Sequence, residues 1–78
     1  MNLQAVVDIR HGKGRSLRAL ASSTESKGEW DQVQIPILDM RTLASLILWH
    51  GEDVYVHSPI ELRESIIESL KELVSAHG

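Results

Sequence analysis

A chain of 78 residues holds one domain at most, and its formal net charge of -3 gives it no general attraction for nucleic acid. It has no cysteine, which excludes a disulfide framework and a thiolate metal site. A chain this short buries only about 60% of its unfolded surface, so its core is small and a partner surface would help it. Met1 to Ile9 has no basic stretch and contains Asp8, unlike a signal peptide. The longest apolar run, Leu43 to Trp49, is interrupted by Ser45 and falls far short of the ~20 residues that span a bilayer. A soluble, cytoplasmic protein with no membrane contact is expected.

The first predicted element is a strand over Leu3 to Ile9. Leu3, Ala5, Val7 and Ile9 share one face at period two, and Gln4, Asp8 and Arg10 lie opposite. His11-Gly12-Lys13-Gly14 is a glycine-rich turn. A helix follows, carrying Leu17, Leu20 and Ala21. Ser22 to Ser26 is polar and fits a short edge strand, with a turn over Lys27 to Trp30. Asp31 to Ile37 alternates as a strand, with Val33 and Ile35 on one face and Gln32 and Gln34 on the other. Pro36 marks the end of its ladder or an edge position.

Asp39 can cap the next helix, whose apolar positions are Leu43, Leu46 and Ile47, and Gly51 stops it. Asp53 to His57 is a short strand. Ser58-Pro59-Ile60-Glu61 then matches a capping box with proline at the first helical position. The last helix, Pro59 to about Ala76, carries a broad stripe of Leu62, Ile66, Ile67, Leu70, Leu73 and Val74.

The order predicts an α+β fold. Specifically it predicts a ferredoxin-like βαββαβ antiparallel sheet, its helices on one face, with an additional C-terminal helix. The stripe of that helix would cover the other face of the sheet or meet another chain. The small core and the breadth of the stripe favour a homodimer interface built on Ile66, Leu70, Leu73 and Val74.

Charge is distributed unevenly. Up to Leu20 there are four cations, Arg10, Lys13, Arg15 and Arg18, against one acid; beyond it there are four cations against ten acids. The basic turn Arg10 to Arg18 is the candidate nucleic-acid contact, through phosphates and without sequence preference. A solvated turn explains it as well. A stacking platform of the RRM kind is rejected, because neither central strand carries an aromatic residue.

His50, Glu52 and His57 would make an incomplete zinc site, so no metal and no other cofactor are expected. None of the serines sits in a nucleophile-elbow pattern, so no catalytic residues and no enzyme activity are expected. His11-Gly12-Lys13-Gly14 lacks the full phosphate-loop pattern.

Several segments together resemble a known family. They are Val6-Val7-Asp8-Ile9-Arg10, Gly14 to Leu20, Trp30 to Pro36, Leu43-Ala44, Gly51-Glu52-Asp53-Val54 and Pro59-Ile60-Glu61-Leu62-Arg63. The chain resembles the C-terminal extension, called WCX, of the WYL-domain transcriptional regulators of bacteria, of the PafB/PafC type. The resemblance covers nearly the whole chain and is sharpest from Gly51 to Arg63. It implies a single WCX-like domain over residues 1–78, a piece of a larger regulator. It also implies a non-catalytic role in dimerisation and signal relay, with the WYL and DNA-binding domains of the parent chain as partners. Two other functions fit the element order. One is an ACT-like domain binding a small ligand near Ile9 to Ser16; the other is a nucleic-acid module using the basic turn.

Overall fold

Alternation in the first strand sets the architecture. Ala5, Val7 and Ile9 are fully buried, while Gln4, Val6, Asp8 and Arg10 face away from the core. The structure is a computed structural model and describes residues 3–77. Its elements are β1 (Gln4–Arg10), α1 (Arg15–Arg18), β2 (Ser23–Lys27), β3 (Trp30–Pro36), α2 (Met40–His50), β4 (Val54–Ser58) and α3 (Ile60–His77). A 3-10 turn over Gly51–Asp53 joins α2 to β4.

The four strands form one antiparallel sheet in the order β2-β3-β1-β4. β1 pairs with β3 from Gln4↔Pro36 to Arg10↔Trp30, and with β4 through Val7↔Val56, Asp8↔Tyr55 and Ile9↔Val54. Lys27↔Trp30 closes the β2–β3 hairpin. Gly28, at φ 71°, takes the first loop position, where a type II′ turn needs a residue free to adopt positive φ.

All three helices cover one face. Leu17 of α1, Leu43, Ala44 and Ile47 of α2 and Leu62 of α3 join Ala5, Val7, Ile9, Val33, Ile35 and Val56 in a single core. The other face carries Asp8, Arg10, Gln32 and Gln34 beside Trp30, Tyr55 and His57. An antiparallel sheet tolerates such a wet face.

Four expectations change. First, α3 does not cross to the open face: it packs beside α2 and along the edge strand β4, with Leu62 in the core and Ile66 against it. Second, α1 stops at Arg18, leaving Leu20 half exposed. Beyond Arg18 the chain tightens into i→i−3 bonds, Leu20 N–H to the Leu17 carbonyl at 3.0 Å and Ala21 N–H to the Arg18 carbonyl at 3.1 Å, before β2 begins. Third, β3 begins one residue early, so Trp30 belongs to the strand and not to the turn.

Fourth, the capping box is not formed. Ser58 is the last residue of β4, paired with Val6, and α3 begins at Ile60. The Pro59 carbonyl accepts from Leu62 N–H at 3.1 Å, and among the described residues Ser58 Oγ makes no hydrogen bond. The Ser58–Pro59 peptide is cis. By contrast, Asp39 caps α2 as expected, with Oδ1 accepting from Arg41 N–H at 3.0 Å and Thr42 N–H at 3.2 Å.

Candidate functional site

The basic turn is built around Gly14. At φ 70° it takes the left-handed conformation, and a Cβ there would lie 2.6 Å from Ile9 Cγ2. Only glycine lets the chain turn this tightly over the buried Ile9. The turn then presents its four cations in three different settings.

Arg18 points inward. Its Nη1 lies 2.8 Å from Asp31 Oδ2, its Nε donates to the Lys13 carbonyl at 2.6 Å, and its Nη2 donates to the Arg10 carbonyl at 3.2 Å. Among the described residues, Asp31 is the one charged side chain buried with the core, at 4% exposure. Ser26 Oγ donates to it from β2, and His11 Nδ1 lies 3.3 Å from its Oδ2. Burial pushes the Asp31 carboxyl up, but the hydrogen bonds from Arg18, Ser26 and His11, with the charge of Arg18, outweigh it and hold the group below its ordinary value.

Arg10 lies on the open sheet face. Its Nε is 3.2 Å from Asp53 Oδ1, and its guanidinium stacks 4.6 Å from the centre of the Trp30 ring. Lys13 and Arg15 make no ion pair among the described residues. Two of the four cations of the basic turn, Arg10 and Arg18, are thus paired with acids within the fold.

A cleft of about 340 Å³ lies beside the turn, lined by His11, Gly12, Lys13, Arg15, Arg18 and Asp31. It lies in the region, Ile9 to Ser16, where the ACT-like reading expected a small ligand. The oxygens of Asp31 already accept from Arg18 and Ser26, so Lys13 and Arg15 are the charges left to meet a ligand.

Trp30 and Tyr55 put aromatic rings on the open face, which the sequence argument against a stacking platform did not foresee. The Trp30 ring, however, is covered by Arg10. Tyr55 meets His57 edge-on at 5.1 Å, with Arg63 6.0 Å from its ring centre.

His57 Nε2 lies 2.7 Å from Asp8 Oδ2, and His50 Nε2 lies 2.9 Å from Ser16 Oγ. The two histidines therefore serve separate contacts. No group of three metal-ligating side chains converges among the described residues.

The second surface is the outer side of the helix layer. Ile67, Leu70, Leu73 and Val74 of α3 are exposed, and Trp49 at the end of α2 is 88% exposed. Ile66, named with them from the sequence, turns inward against the core. A groove of about 420 Å³ between α2, β4 and α3 is lined by Leu48, Val54, Tyr55, Ile66, Ile67 and Leu70, with Arg63 at its edge. The acids of α3 lie on its other flank, where Glu72 reaches Arg41 at 3.5 Å.

The family model of the WCX domain matches residues 2–74. The chain belongs to the WCX domain family. A solved structure similar to this WCX domain is that of proteasome accessory factor B/C (PafBC) of Arthrobacter aurescens. The TM-score is 0.81 at 26% identity, over 91% of this chain and 12% of that one. The WCX domain here therefore spans about an eighth of that protein's length. No curated protein matches. Among the described residues, no helix of the WCX domain is long and apolar enough to cross a membrane.

Proposed function

We propose that this WCX domain is the non-catalytic self-association and relay module of a cytoplasmic, WYL-type transcriptional regulator in which other domains bind DNA. The family match and the likeness to PafBC support the regulator context. The observation that carries self-association is the apolar strip Ile67, Leu70, Leu73 and Val74, exposed along a helix whose first turns are anchored in the core by Leu62. Burying a leucine of this strip at an interface contributes about 1.5–3 kcal/mol relative to exposure. The sheet order, with a helix in each of the β1–β2 and β3–β4 connections, supports a ferredoxin-like reading in which α3 is the added element.

Analytical ultracentrifugation from micromolar to millimolar concentration tests self-association. A dimer is expected, and Leu70→Glu should yield a folded monomer. A strict monomer across the whole range would remove the reading.

Lys13 and Arg15, free of ion pairs, favour a second reading in which the basic turn touches a nucleic-acid backbone. Binding would then be sequence-tolerant and fall steeply with salt, and Lys13→Ala or Arg15→Ala would each flatten the salt slope by about one contact. Anisotropy of a labelled single strand at low salt decides it: no change at high protein concentration leaves the turn as solvated surface.

A further inference from the structure

We draw no further inference here: the strongest candidate, the exposed apolar face where Trp49 stands beside the α2–β4–α3 groove, carries nothing beyond the self-association reading, because nothing in the structure shows what covers it.

Discussion

Asp31 and Gly14 show how single residues hold the turn. Asp31 gathers the β1–α1 turn, α1 and β2 through His11, Arg18 and Ser26. A carboxyl held below its ordinary value in the folded state contributes stability above its unfolded value of about 3.9 and loses it as pH falls through the folded value. Acid denaturation should therefore steepen below about pH 4. Asp31→Asn should lower the midpoint at neutral pH and flatten that acid limb, as thermal melts from pH 2 to 7 would show. An unchanged limb would mean that other carboxylates govern it. Gly14→Ala should cost at least about 1 kcal/mol, since it places a Cβ in the left-handed region and against Ile9. Gly12→Ala, with open space around it, should cost less; denaturant midpoints of the pair compare the two directly.

The two main helices begin differently. α2 starts on a side-chain cap, so Asp39→Ala should cost about 1 kcal/mol by chemical denaturation. α3 starts on a backbone carbonyl while Ser58 remains in the sheet, so Ser58→Ala should leave the midpoint within about 0.5 kcal/mol. A clear loss there would mean that Ser58 caps α3 in solution. The short α1 also has a consequence for the layer above the sheet. Because it ends at Arg18, the space between Leu20, Ile35, Leu43 and Leu46 is left as an apolar cleft of about 350 Å³, with Leu38 standing free at 99% exposure. The segment from Ala19 to Ser22 is thus a connection and covers little of the sheet.

On the scale of the whole molecule, the core is one layer of side chains between a four-stranded sheet and three helices, and α3 belongs to it only through its first turns. Leu62→Ala should therefore destabilise the monomer by about 2–5 kcal/mol, whereas Leu73→Ala should weaken association and spare the fold. Denaturation at a concentration below the dimer range separates the two effects. On the wet face of the sheet, Asp8 lies against His57 and Arg10 against Asp53 and Trp30, contacts that join β1 to β4, to the turn before it and to β3.

The strands, the two long helices and the family motif were legible in the chain because their causes are local. Period-two alternation in Ala5-Val6-Val7-Asp8-Ile9, an aspartate two and three residues ahead of free amides at Arg41 and Thr42, and a glycine at 51 act within a few residues of themselves. The internal partners of Arg10 and Arg18 and the destination of the α3 stripe were not legible. Arg10 finds Asp53 across 43 positions, and Arg18 finds a buried carboxylate that reads in sequence as an ordinary strand residue. Periodicity showed that α3 has an apolar stripe. Only the packing of α3 beside α2 decided that Leu62 and Ile66 would be spent on the core and that Ile67, Leu70, Leu73 and Val74 would be left outside, because a stripe records how much surface must be covered and not which neighbour covers it.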